Sequence, residues 1–187
     1  MKKQLFAILL TILAAVTIVN GQDKFYTKSC KIFLQCTAAS SPEKIEGLHK
    51  NVTCVLDSKT GNLQFAVLMK GFEFERALMQ EHFNENYAET DKFPKAEFRG
   101  TIINNNEVAY TKNGSYNVHV KGALTIHGET KPVETTGSIA IKDGKPVIGA
   151  TFTLLLSDYK ISIPSLVSDK ISKTATITIE GTLDVLK

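Results

Sequence analysis

Over long stretches of this chain hydrophobic and polar residues alternate one by one. In residues 116–126, Tyr116, Val118, Val120, Gly122, Leu124 and Ile126 share one parity, and Asn117, His119, Lys121 and Thr125 take the other. Successive side chains of an extended backbone point to opposite faces, so the pattern predicts a strand with one dry face and one wet face. The same period sets Ala96, Phe98, Gly100 and Ile102 against Glu97, Arg99 and Thr101. It sets Val133, Gly137, Ile139 and Ile141 against Glu134, Ser138 and Lys142, and Ala175, Ile177, Ile179, Gly181, Leu183 and Val185 against a row of threonines and acids. Residues 63–69 and 148–156 alternate less cleanly, with Phe65, Val67, Phe152 and Leu154 as their inward members. One or two more strands fall within residues 24–57.

Turn-forming clusters separate these runs: Ser40-Ser41-Pro42, Lys59-Thr60-Gly61, Asn104-Asn105-Asn106, Lys112-Asn113-Gly114, His127-Gly128 and Asp143-Gly144. Short strands with regular turns predict an antiparallel sandwich or barrel of about eight strands. One segment departs from period two. In residues 74–87, Met79, Phe83 and Tyr87 recur every four residues beside Phe74 and Leu78, which predicts a helix ending before Phe93-Pro94. A single helix of this kind would lie across one barrel mouth.

The chain opens with Met1-Lys2-Lys3, an uncharged apolar run from Leu5 to Val19 and the small polar Asn20-Gly21-Gln22. That run is shorter than the roughly 20 residues of a membrane-spanning helix and reads as a secretory signal peptide, with cleavage after Gly21. The expectation is a leader at 1–21, one domain at 22–187, export to the periplasm or beyond, and no stable membrane insertion. The formal charge of +3 falls to +1 once Lys2 and Lys3 leave, which argues against nucleic acid as a partner. The sequence leaves room for a homodimer.

Three cysteines, Cys30, Cys36 and Cys54, do not make a disulfide framework in a domain of this size. Cys30 and Cys36 lie about 20 Å apart on one extended strand and cannot bridge there. A Cys36 to Cys54 bridge across a hairpin stays open beside the alternative of small buried thiols. His82, Glu85 and Glu89 have helical spacing that can gather a metal or an acid/base pair, though such residues are also common on a solvated helix face. His119 and His127 fall on the wet side by parity. There is no Gly-x-Ser-x-Gly elbow, phosphate loop, His-Glu-x-x-His or Cys-x-x-Cys. No catalytic residue, metal ligand or cofactor is therefore expected. Gly100, Gly122, Gly137 and Gly181 share the apolar parity; they either leave space for a ligand or permit barrel coiling and tight corners.

From about Lys24 onward the chain resembles the YceI-like family of exported, lipocalin-shaped barrels, some of which bind polyisoprenoids. The resemblance rests on the segments Phe72-Glu73-Phe74-Glu75-Arg76-Ala77-Leu78-Met79-Gln80-Glu81-His82-Phe83-Asn84-Glu85-Asn86-Tyr87, Lys92-Phe93-Pro94-Lys95-Ala96-Glu97-Phe98-Arg99-Gly100, Gly122-Ala123-Leu124-Thr125-Ile126-His127-Gly128 and Phe152-Thr153-Leu154. It implies an all-β, eight-stranded antiparallel barrel with one short helix and an apolar channel that holds an isoprenoid lipid or quinone. The three cysteines stand outside the family pattern. By parity or helical stripe the expected channel residues are Phe65, Val67, Phe83, Phe98, Ile102, Val118, Val120, Leu124, Ile126, Phe152, Leu154, Ile177 and Ile179. The rival expectations are a filled, ligand-free barrel acting through protein contacts, and a metal-dependent activity at His82, Glu85 and Glu89.

Overall fold

The computed structural model describes residues 23–186; the expected leader lies outside the described residues. In chain order the elements are β1 (Lys24–Thr37), β2 (Glu46–Asp57), β3 (Asn62–Leu68), β4 (Phe72–Phe74), α1 (Ala77–His82), β5 (Lys95–Ile102), β6 (Gly114–Ile126), β7 (Glu129–Lys142), β8 (Lys145–Leu155), β9 (Ile171–Thr182) and β10 (Asp184–Val185). β1, β2, β3, β5, β6, β7, β8 and β9 pair in that order, and β9 pairs back to β1, all antiparallel. The sheet thus closes on itself as an eight-stranded barrel, and β4 and β10 are short additions to β2 and β1. Closure pairs the edges that an open sheet would leave exposed.

The β6–β7 and β7–β8 turns explain part of this geometry. His127 and Gly128 have φ of 52° and 76°, and Asp143 and Gly144 have φ of 51° and 76°. Two consecutive residues at positive φ make the type I′ turn whose twist matches that of the strands it joins. Each hairpin therefore continues in strict register, Ile126 opposite Glu129 and Lys142 opposite Lys145.

The β1–β2 pair is less regular. Its register runs from Thr27 opposite Cys54 to Cys30 opposite Val52, then to Ile32 opposite His49. The extra residue falls first on β1 and then on β2, so two compensating bulges reverse the inward parity of both strands. In β1 the buried set changes from Phe25 and Thr27 to Cys30, Ile32 and Cys36; in β2 it changes from Gly47 and His49 to Val52, Cys54 and Leu56.

The expected helix over 74–87 is shorter in the structure. Phe74 closes β4, Arg76 is extended, α1 spans only Ala77–His82, and residues 83–87 form a wider π turn in which Ala88 N–H donates to the Phe83 carbonyl at 2.8 Å. The aromatic stripe survives because Phe83 packs on both Phe72 and Phe74, with ring centroids at 5.5 and 4.9 Å. Leu78, also in the stripe, is largely exposed.

Cys36 and Cys54 cannot bridge. The Cys36 N–H donates to the Ile45 carbonyl at one end of the hairpin, whereas Cys54 lies nine positions further along, about 30 Å away for an extended strand. All three cysteines are buried free thiols.

Candidate functional site

The strands run so that one end of the barrel collects the loop at 38–45, the segment at 69–94 with β4 and α1, the His127–Gly128 turn and the connection at 156–170. The other end collects the turn at 58–61, the loop at 103–113 and the Asp143–Gly144 turn. There Phe25, Val108 and Leu183 are buried, and Tyr110 stacks on Phe25 at 6.0 Å. The Tyr110 hydroxyl donates to Asn105 Oδ1 at 2.7 Å. Burial, with the nearby Asp57 carboxylate, pushes Tyr110 up to about 12, so it remains a neutral donor. These residues form a plug.

Between the plug and the first end lies a cavity of about 440 Å³. Small-molecule sites commonly span about 300–1,000 Å³. Its deep wall is built from Leu56, Leu63, Ile102, Ile139 and Ile148, and its upper wall from Met69, Phe72, Phe83, Leu156 and Tyr159. All thirteen residues expected from parity and stripe line this space: Phe65, Val67, Phe83, Phe98, Ile102, Val118, Val120, Leu124, Ile126, Phe152, Leu154, Ile177 and Ile179. The interior of the barrel is therefore not filled by side chains.

Several lining residues carried no clear sequence signal. Ile32, Leu34 and Cys36 lie beyond the β1 bulge, and Leu56 lies beyond that on β2. Glu43, Arg76 and Lys170 come from three loops far apart in sequence and meet at the open end.

The inward glycines enlarge the space less than they allow strands to approach. Gly100 and Gly122 face each other across β5 and β6. A Cβ on Gly122 would sit 2.5 Å from the Arg99 carbonyl oxygen, and one on Gly100 would sit 2.6 Å from that of Lys121. The Phe98 ring lies over both positions. At Gly181 the Cys30 sulfur fills the place of a side chain, 2.8 Å from where a Cβ would be, and the Cys30 thiol donates to the Glu180 carbonyl at 3.3 Å. Gly137 does border the cavity, but a Cβ there would meet the Gly149 carbonyl at 2.7 Å.

His127 is not the solvated residue that parity suggested; its side chain is 9% exposed. Nε2 lies 2.6 Å from Glu89 Oε2 and Nδ1 lies 3.0 Å from the Tyr159 carbonyl. Both partners are acceptors, so a ring N–H on either nitrogen has an oxygen to donate to. The ring also packs on Phe93 at 4.3 Å. His127 thus ties together the segment after α1, the β6–β7 turn and the connection after β8. Glu89, His127 and Lys160 all have positive φ, so three left-handed residues meet at this tie. Lys160 extends it through an ion pair with Glu129 at 2.6 Å. The rival trio of His82, Glu85 and Glu89 is split, because Glu89 turns to His127 while His82 borders the cavity. Among the described residues no three metal-binding side chains converge.

A barrel of this order, with an apolar interior open at one end, can be compared with known proteins. The YceI-like domain profile matches residues 31–183. The chain belongs to the YceI-like family. The YceI-like barrel is similar to a polyisoprenoid-binding domain from Saccharophagus degradans implicated in plant cell wall breakdown, with a TM-score of 0.75 and 10% identity over 88% of this chain and 99% of that one. It is also similar to BcnA of Burkholderia cenocepacia, with a TM-score of 0.66 and 14% identity over 83% and 96% of the two chains. A third likeness is to the YCEI protein of Campylobacter jejuni, with a TM-score of 0.53 and 19% identity over 75% and 85%. At these identities the likeness is one of fold. No curated protein matches the sequence. Among the described residues no helix is long and apolar enough to cross a membrane.

The thiols add no reactive group to this site. Burial pushes Cys30 and Cys36 up to about 12 and Cys54 higher still, the nearby Cys30 adding to the effect at Cys54. Each is a neutral thiol near neutral pH and behaves as a small apolar side chain.

Proposed function

We propose that this protein is an exported, non-enzymatic carrier that holds an isoprenoid lipid, a polyprenyl chain or the tail of an isoprenoid quinone, inside the barrel. The observation that carries this reading is the cavity of about 440 Å³ with an almost wholly apolar wall. Burial of a methylene group contributes roughly 0.8 kcal/mol, so each five-carbon isoprene unit contributes up to about 4 kcal/mol before ordering costs. Membership of the YceI-like family and the likeness to a polyisoprenoid-binding domain support the choice of an isoprenoid. The sequence at residues 1–21 supports export.

The test is organic extraction of the protein purified from the exported fraction, with mass spectrometry of the extract. A stoichiometric isoprenoid is the expected result, and the mass of the protein should show the loss of residues 1–21. Absence of any lipid, together with failure to take up added quinones and polyprenols, would overturn the carrier reading in favour of a barrel that acts through protein contacts.

A further inference from the structure

We infer that the rim of the open end docks on the surface of a zwitterionic lipid bilayer, with Leu166 as its leading anchor. The docking rests on the carrier reading, because an apolar chain stored in the barrel has to be collected from a membrane. It adds to that reading the part of the surface that meets the membrane.

The large hydrophobic side chains that stand exposed among the described residues are unevenly placed. Leu68, Leu78, Leu155 and Leu166 belong to the open end, whereas Ile103 and Leu186 belong to the plugged one. Each of the four is next in sequence to a residue that lines the cavity: Leu68 to Val67, Leu78 to Met79, Leu155 to Leu154 and Leu166 to Val167. They come from the end of β3, from α1, from the end of β8 and from the connection before β9, so they are spread around one opening. A single exposed leucine needs no partner, but apolar side chains gathered on the lip of a lipid cavity mark a contact surface.

Leu166 is 89% exposed, more than any of the others. It sits on a single 3-10 turn, Ser165–Val167, that sends Val167 to the cavity and Leu166 outward. The stretch Ile161-Ser162-Ile163-Pro164-Ser165-Leu166-Val167-Ser168 holds no charged residue. Its backbone is partly satisfied within the turn, where the Val167 N–H donates to the Pro164 carbonyl at 3.1 Å and the Lys170 N–H to the Val167 carbonyl at 3.0 Å. An uncharged loop with its own hydrogen bonds and an apolar tip loses little by entering the head-group boundary of a bilayer and gains burial of the leucine.

Charge selects the kind of bilayer. The loops at this end, 38–45, 69–94, 127–128 and 156–170, carry nine acidic and six basic side chains. They lack the basic cluster that draws a protein to anionic lipid, so burial rather than attraction drives the docking. With the rim seated, the doorway opens into the lipid phase and a chain passes into the barrel without crossing water.

The chain contains no tryptophan, so Leu166→Trp places a lone fluorophore on the loop and Ile103→Trp places a matching one at the plugged end. Phosphatidylcholine vesicles added to the full-length mature protein should shift the emission of Leu166→Trp to the blue and carry it down on sedimentation, while the emission of Ile103→Trp stays unchanged. Leu68→Ser/Leu166→Ser should weaken vesicle binding about tenfold or more. Farnesol uptake by that variant, measured by titration without vesicles, should equal the parent's, which also shows that the barrel is folded. Binding should persist in about 0.5 M salt and should not strengthen when phosphatidylglycerol is added. No blue shift and no sedimentation with vesicles, beside normal farnesol uptake, would overturn the docking in favour of a protein partner at the rim and leave the carrier reading standing. Equal shifts at both ends, or binding that needs phosphatidylglycerol and is lost in salt, would overturn it in favour of unspecific or charge-driven adsorption. Vesicle binding through Leu166 without farnesol uptake would uphold the docking surface and overturn the carrier reading.

Discussion

Val120 faces the cavity from the middle of β6, with Ile102 and Thr135 opposite it on the neighbouring strands. Enlarging this one side chain should close the space without altering the strand ladder. Val120→Trp is expected to lower lipid uptake more than tenfold at a stability cost of about 1–3 kcal/mol for overpacking, measured by lipid titration beside thermal unfolding. Unchanged uptake would exclude this wall from the binding path. Gly122 and Gly149 offer a test of opposite signs. A methyl on Gly122 meets backbone at 2.5 Å, whereas one on Gly149 meets first the Ser138 hydroxyl at 3.3 Å. Gly122→Ala should therefore destabilise by about 1–3 kcal/mol, and Gly149→Ala should be neutral or stabilising by up to about 1 kcal/mol through the unfolded chain. Denaturant midpoints of the two variants would separate these outcomes. At this scale the sequence identified which residues face inward but not what surrounds them. Parity placed Gly122 inside, yet only the register with Gly100 shows that backbone occupies the space a side chain would need. His127 was misplaced because it sits at a turn, where strand parity ends and the left-handed backbone redirects the ring.

The elements that could be read from the chain are those with unbroken periodicity. β6 and β9 keep one parity throughout, and the type I′ turns at His127–Gly128 and Asp143–Gly144 preserve register. β1 and β2 were harder to read because each carries a bulge that exchanges inner and outer positions midway. A stripe every four residues fits both a long helix and a short one followed by a π turn, so periodicity alone does not separate them at 74–87. The short helix depends on connections outside itself, above all the His127 tie through Glu89. His127→Ala removes two hydrogen bonds from a largely buried group, which should cost about 1–3 kcal/mol locally. Hydrogen exchange at residues 77–90 should rise while β6, β7 and β8 stay protected. Uniform protection across both regions would show that the tie does not hold this segment in place.

For the molecule as a whole, three thiols that stay neutral when folded make stability depend on alkaline pH. An exposed thiol ionises near about 8.5, whereas Cys30 and Cys36 are pushed up to about 12 by burial, and Cys54 is raised further. The unfolded chain therefore loses these protons first. The stabilisation is fully present below the unfolded value and is lost as pH rises toward the folded one, by up to about 1.4 kcal/mol per pH unit for each thiol. Denaturant midpoints should fall between about pH 9 and 12, and more gradually in Cys30→Ala than in the parent; identical slopes would show that Cys30 does not contribute. The barrel itself was legible because eight strands with one dry face can bury that face by closing on themselves. The mouth was not, because Glu43, Arg76 and Lys170 share no local pattern and are gathered only by closure. The plug of Phe25, Val108, Tyr110 and Leu183 makes the barrel a sleeve with a single doorway. A lipid held inside would have to leave by the route it came in, so loading and delivery would present the same face of the protein to donor and acceptor. Withdrawal exposes the tail carbon by carbon, and each added methylene should slow release by up to about fourfold until the sleeve is full. Longer chains would then protrude, and their residence time would stop growing with length.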